Sequence, residues 1–226
     1  MIKEFEILKC IKEADAKNGF LPKSIHLMEG MSTIKTRLLF NKLGSLLPSG
    51  SNYLEVGCWK GATFCSTLYN NAINGIAIDS FSQFQEQNIY HYEHQKGNSK
   101  TICLKNLTEL TLWNPVDQKN MLLHSDAFST DLKVLPKIDF YFYDGDHSEE
   151  AQYNAYKYFN PTLSNEFLTV VDDWCDGKDT AERGTRRAFK DLGYKIKFET
   201  SLPASKNCMD PEGWWNGLYI ALVEKP

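Results

Sequence analysis

The 226-residue chain has no apolar run long enough to span a membrane, and it does not open on a basic-then-apolar leader. Its first residues, Met1-Ile2-Lys3-Glu4-Phe5-Glu6, carry acids where a secretory signal would be basic. The six cysteines (Cys10, Cys58, Cys65, Cys103, Cys175 and Cys208) lack C-x-x-C pairing and any disulfide-framework spacing. Free thiols in a reducing compartment are therefore expected. Positive charge is not in excess either: 25 Lys and Arg face 29 Asp and Glu, a formal net charge of -4. That removes the electrostatic case for a nucleic-acid partner. Internal repeats and low-complexity tracts are missing too. These absences point to a soluble, cytoplasmic protein without membrane or nucleic-acid partners. What is present, 42% hydrophobic and 13% aromatic residues, suffices for a core. The length suits a single α/β domain over residues 51–226 behind a helical extension over residues 1–50.

The most informative stretch is Tyr53-Leu54-Glu55-Val56-Gly57-Cys58-Trp59-Lys60-Gly61-Ala62-Thr63. A short apolar run ends in a glycine turn and a helix-like segment follows, which reads as strand, tight loop and helix N-terminus. Such a loop lets backbone approach a ligand and presents free N–H groups. The dinucleotide fingerprint G-x-G-x-x-G is excluded, because Trp59 and Ala62 occupy its second and third glycine positions. The pattern that fits is E-x-G-x-x-x-G, followed after a second strand (Gly75 to Ile78) by Asp79.

Before this loop, helical spacing over residues 1–20 predicts a face of Ile2, Phe5, Leu8 and Ile11. Ser32 is expected to cap a second helix through Leu43 that buries Leu38, Leu39 and Leu43. From Tyr53 onward, strands are expected near 53–57, 75–79, 120–124, 138–143, 167–172, 194–199 and 217–224. Helices are expected over 61–70, 100–112, 128–134, 148–159 and 180–192. This alternation predicts a Rossmann-like α/β fold: a seven-stranded, mostly parallel sheet with helices on both faces. The polar run Ser82 to Ser99, with His91 and His94, reads as a loop or short helix above the site and not as a metal site. Arg183, Arg186 and Arg187 share one helix face, read as solvated. Trp214 and Trp215 line an acceptor pocket or plug the core.

Chemistry concentrates at strand ends. Ile138 to Tyr143 is a buried-strand run that ends in Asp144-Gly145-Asp146-His147-Ser148, and Phe167 to Val171 runs into Asp172-Asp173-Trp174. Ionisable groups there are costly to bury, and open α/β sheets place ligands at this edge. Adjacent strand ends lie about 5 Å apart, so Asp144, Asp172 and Asp173 can converge, and clustered carboxylates call for a hard cation.

Together these motifs resemble class I S-adenosylmethionine (SAM) methyltransferases, in the metal-dependent branch that includes catechol and macrocin O-methyltransferases. The likeness covers roughly residues 50 to 200. It implies SAM and Mg²⁺, or another divalent cation, as cofactors, and a last strand inserted antiparallel. It implies that the glycine loop (Glu55, Gly57, Trp59, Gly61) passes under the methionine moiety. Asp79, with Ser80 and Phe81, would hold the ribose. Asp126, with Ser125 and Ala127, would meet the adenine, unless it is simply a helix cap. Asp144 would also border the cofactor, and Asp144, Asp172 and Asp173 would hold the metal. In related enzymes an N-terminal segment, here Met28 to Ser32, closes over the cofactor; packing is the plainer reading. The catechol enzymes carry a lysine base where His147 stands. The base is thus left between Asp146, slightly favoured, and His147. The implied activity is methyl transfer to a hydroxyl of a small molecule, sugar, phenol or polyol. The alternatives are a SAM-fold binding or regulatory module and a metal-dependent glycosyl or phosphoryl transfer enzyme. A homo-oligomer is left open.

Overall fold

A computed structural model describes residues 2–82, 99–174, 180–204, 210 and 212–226. His91 and His94, Cys175 and Cys208, and nearly all of the 82–99 run lie outside the described residues.

Seven strands form one sheet: β1 (Asn52–Val56), β2 (Asn74–Asp79), β3 (Asn120–His124), β4 (Ile138–Tyr143), β5 (Leu163–Val171), β6 (Lys195–Leu202) and β7 (Leu218–Glu224). Their spatial order is β3-β2-β1-β4-β5-β7-β6. The first five are mutually parallel, and β7 enters antiparallel between β5 and β6. The expected Rossmann-like sheet is thus observed. β1, β4, β7 and the second half of β5 are buried almost throughout because helices cover both faces, while the edge strand β6 alternates exposed and half-buried residues.

The period-2 alternation of β4 divides its aromatics between two cores. Phe140 and Phe142 face α3 (Ile34–Ser45), where Phe142 meets Phe40 edge-on at 4.5 Å. Tyr141 and Tyr143 face α6 (Glu149–Phe159) and α7 (Thr180–Asp191), where the Tyr156 hydroxyl pairs with Thr169 Oγ1 at 2.7 Å. The same alternation in β1 sends Tyr53 to the first core and Leu54 and Val56 to the second.

Several sequence expectations are corrected. Helix α1 (Glu4–Asp15) buries Ile7, Cys10 and Ala14, whereas Phe5 and Leu8 are 62% and 45% exposed. The cap of α3 is Thr33, whose hydroxyl accepts from Thr36 N–H, and the Ser32 hydroxyl accepts from Arg37 Nε instead. No helix spans 128–134. Asp126 and Asp131 each cap a single 3-10 turn (Ala127–Ser129 and Leu132–Val134), with extended Thr130 between them. The helix expected over 61–70 stops at Leu68, and Asn70 turns to positive φ. Strand β5 starts four residues before the expected Phe167. The solvated reading of the α7 arginine face stands: its side chains are 37–59% exposed and make surface ion pairs, Arg183 and Arg187 with Glu149, Arg187 also with Glu150, and Arg186 with Glu182 and Glu199.

Helices α6 and α7 touch where α7 carries Gly184. A Cβ there would overlap the Glu149 carbonyl oxygen and stand 2.7 Å from Gln152 Cβ. Gly184→Ala should therefore lower unfolding free energy by about 1–3 kcal/mol through overpacking. A denaturant midpoint equal to that of the parent would refute this close approach.

Candidate active site

The order of strands reverses at β1, which has β2 on one side and β4 on the other. Open sheets bind ligands in the crevice outside such a switch point. A cavity of about 600 Å³ opens there, at the carboxyl ends of the strands.

Its floor is fastened by backbone bonds. Asp144 N–H donates to Val56 O and Gly57 N–H to Ile78 O, both at 2.9 Å. Gly57 has φ +90°, and a Cβ on it would overlap the Asp144 carbonyl. Only glycine satisfies both demands. The loop then returns to β2: Asp79 accepts Trp59 N–H at 2.7 Å on one oxygen and Phe81 N–H at 2.6 Å on the other. Burial raises the Asp79 carboxyl, and these two amides partly offset it. At the far end of the loop Gly61 (φ +80°) caps α4 (Ala62–Leu68).

Most residues singled out in the sequence line this cavity: Gly57, Trp59, Asp79, Ser80, Phe81, Ser125, Asp126, Ala127, Asp144, Asp146 and His147. Asp126 caps the following turn, and its hydrogen bonds from Phe128 N–H and Ser129 Oγ both use Oδ1. Both readings of Asp126 are thus sterically compatible. Glu55 is placed differently, fully buried behind the wall. Its carboxylate accepts the Tyr53 hydroxyl at 2.5 Å and the Thr63 hydroxyl at 2.6 Å, which pins the start of α4 to β1. Burial pushes its carboxyl up to about 7.

The acids of β4 and β5 follow from register. Tyr143 pairs with Val171, so Asp144 and Asp172, one residue on, are neighbours. Their carboxyls are in hydrogen-bonding contact; burial, and then the charges of Asp172 and Asp173, push Asp144 well above the usual carboxylate range, while burial and the Asp173 charge push Asp172 up and its hydrogen bond to Asp144 partly offsets this. Asp173 turns away at φ 53°. Its Oδ1 accepts from Asn216 Nδ2, and its Oδ2 stands 3.1 Å from His147 Nδ1. His147 Nε2 lies 3.9 Å from Asp144 Oδ1. Among the described residues no group of three or more His, Cys, Asp or Glu stands in metal-holding geometry. The two candidate bases part company: exposed Asp146 bonds Ser148 N–H at 2.8 Å, while His147 stands between Asp144 and Asp173.

Sequence reasoning missed Lys60. It lines the cavity at only 1% exposure, pairs with Glu29 and lies 4.3 Å over the Trp59 ring. A loop lysine reads as solvated by default. Its position between Trp59 and Gly61, inside a ligand loop, was the available signal. Gly30, Met31 and Ser32 also reach the cavity wall. Trp214 is buried in the core under Lys35 Nζ, 4.6 Å from its ring.

A family model described as a methyltransferase domain matches residues 54–174, more than half of the chain. The chain belongs to the methyltransferase domain family. The expected family resemblance and the fold of the class I SAM-dependent enzymes are thereby borne out. Among curated proteins none matches this methyltransferase in sequence. Solved structures share its fold. A Streptococcus mutans chain provisionally assigned as a SAM-dependent methyltransferase superposes with TM-score 0.57 at 13% identity, over 86% of this chain and 50% of that one. This chain therefore spans about half the length of that relative. An O-methyltransferase from Bacillus cereus, in complex with S-adenosylhomocysteine (SAH), gives TM-score 0.50 at 14% identity, over 99% and 93% of the two chains. TrmN from Thermus thermophilus gives 0.56 at 11% identity, over 89% and 52%.

The buried Glu55 makes a pH prediction. Its folded pKa of about 7 exceeds the ordinary 4.5, so folding favours its protonated form. Its contribution is full below pH 4.5 and is lost as pH rises through 7. The loss amounts to roughly 3 kcal/mol. Glu55→Gln cannot ionise and keeps partners for both hydroxyls. Its urea-unfolding free energy relative to the parent should therefore rise between pH 5 and pH 8. Parallel pH profiles would contradict this account of Glu55.

Proposed function

We propose that this methyltransferase uses SAM to methylate a hydroxyl of a small molecule, with a sugar, phenol or polyol as acceptor and a divalent cation at Asp144 and Asp172. The observation that carries the reading is the contact between these two carboxyls beside the cavity at the switch point. Two carboxylates in contact must share a proton or a cation. Mg²⁺ is commonly held by one or two carboxylates, with water and substrate completing its shell. The all-oxygen donor pair fits such an ion without a third protein ligand. When bound, the cation would lower the pKa of an acceptor hydroxyl and fix its position.

SAM fits the same cavity. Its volume lies in the range of small-molecule sites. Gly57 leaves the floor bare of side chain, Asp79 keeps unused lone pairs for ribose hydroxyls, and Asp126 Oδ2 is available to an adenine amino group. The Bacillus cereus O-methyltransferase of the same fold, in complex with SAH, supports a SAM-type ligand and an oxygen acceptor. The net charge of -4 favours a small acceptor over a nucleic acid.

His147 is the better-placed base. Asp173 Oδ2 stands 3.1 Å from Nδ1 without hydrogen-bond alignment; a small turn of the ring would let Nδ1–H donate to it and leave Nε2 to accept. Nε2 points toward Asp144, the side on which the acceptor hydroxyl would lie. Asn216 holds Asp173 in turn, which gives a chain Asn216–Asp173–His147 that orients the ring. Asp146 spends an oxygen on Ser148 N–H and serves the turn.

Two measurements test this. With SAM and a panel of sugars and phenols, transfer should vanish in EDTA and return with Mg²⁺, while SAH binding by calorimetry persists; full activity in EDTA rules the cation out. His147→Ala should slow transfer by about 10²–10⁴-fold, the usual worth of a general base, and Asp146→Asn by less than about tenfold. The inverse pattern would move the base to Asp146.

A further inference from the structure

We infer that Lys60 anchors the carboxylate at the amino-acid end of SAM, and that Glu29 is a resident counter-ion which this carboxylate displaces. The inference rests on the SAM reading above and adds to it a residue and an exchange of ion pairs. Lys60 is 1% exposed, yet it belongs to the cavity wall. Its backbone is fixed, since Asn106 Nδ2 donates to its carbonyl at 2.8 Å and the preceding Trp59 N–H is held by Asp79. Its ammonium lies over the Trp59 ring. An ammonium in this position demands an anionic partner, because a buried charge is tolerated only when paired.

The partner it has is an unusual one. Glu29 is 45% exposed and comes from the segment between α2 (Lys23–His26) and α3, not from the strand-end loops that build the site. The other acids that line the cavity have partners other than Lys60: Asp79 holds two backbone amides, Asp126 caps its turn, Asp144 meets Asp172 and Asp146 accepts Ser148 N–H. Among the described residues lining the cavity Lys60 is the one lysine or arginine. SAM carries a sulfonium, an ammonium and a carboxylate, and of these only the carboxylate complements it. Replacing Glu29 by that carboxylate keeps the buried ammonium paired throughout. The half-exposed glutamate returns to water at small cost. Glu29 thus competes with the ligand, and the competition weakens binding of every ligand that bears this carboxylate.

Calorimetry with two ligands decides the matter. SAH has the amino-acid end; 5′-methylthioadenosine has the same nucleoside and thioether without it. Lys60→Met should weaken SAH at least about tenfold, the worth of one charge-assisted contact, and leave methylthioadenosine unchanged. Glu29→Gln should tighten SAH several-fold and also leave methylthioadenosine unchanged. A purely structural pair would shift both ligands together, and that result, or no shift in either, overturns the assignment. Weaker SAH binding by Glu29→Gln overturns the displacement. Should Lys60→Met fail to bind methylthioadenosine because it misfolds, the exposed Glu29 variant decides alone. Failure of the parent protein to bind either ligand overturns the SAM reading and this inference with it.

Discussion

The carboxyl ends of β1 and β4 approach so closely that position 57 has no room for a Cβ beside the Asp144 carbonyl. The rest of the site depends on that contact. It places the backbone of the first loop directly against the backbone that carries Asp144, with Val56 O and Asp144 N–H joined at 2.9 Å. Because backbone makes the join, the side chains around it are released for other uses. Asp79 closes the loop from the β2 side through two amides, and Gly61 then starts α4. Three strand ends are thus locked without spending Asp144, Trp59 or Lys60 on the fastening.

Burial raises the carboxyls of Glu55, Asp144 and Asp172 alike, yet their surroundings give them different uses. Glu55 lies behind the wall with two hydroxyl donors, so its answer to desolvation is local and structural. Asp144 and Asp172 have each other, and like charges in contact cannot both stay ionised without help. Asp144 faces the cavity, where a cation can enter. The carboxylate that cannot reach the cavity stabilises the scaffold, and those beside it are poised for chemistry.

The sheet was legible because its central strands are continuous apolar runs between turn signals, and β3 and β4 coincide with the expected ranges. The meeting of Asp144 with Asp172 was also legible, since parallel register carries the residue after Tyr143 to the residue after Val171. Asp173 was not. A positive φ at that residue sends consecutive carboxylates to different partners, and nothing in Asp-Asp foretells it. The buried face of α1 was misread because Phe5 and Leu8 mimic an apolar stripe, while Ile7, Cys10 and Ala14 do the packing. Lys60 was passed over although it sits inside the ligand loop, because its ion pair with Glu29 is a tertiary contact with no local pattern.

The His147 side chain, the proposed base, has neighbours far from it in sequence. Asp173 stands beside His147, and Asn216 holds Asp173. Asn216 belongs to the turn before β7, and that turn is held by the N-terminal helices: Thr33 Oγ1 donates to Gly213 O at 3.0 Å, and Lys35 lies over Trp214. Gly217, at φ +88°, comes so near that a Cβ would stand 2.6 Å from Trp174 O, while its carbonyl accepts Trp174 N–H at 3.2 Å. The same residues that cap and begin α3 therefore brace the turn that aims the Asn216–Asp173–His147 chain. The segment just before them supplies Glu29 to Lys60 at the other end of the cavity. Residues 29–35 thus touch both Lys60 and the turn that carries Asn216, so in the proposed reading the position of that segment would bear on the ligand's amino-acid end and on the base at once.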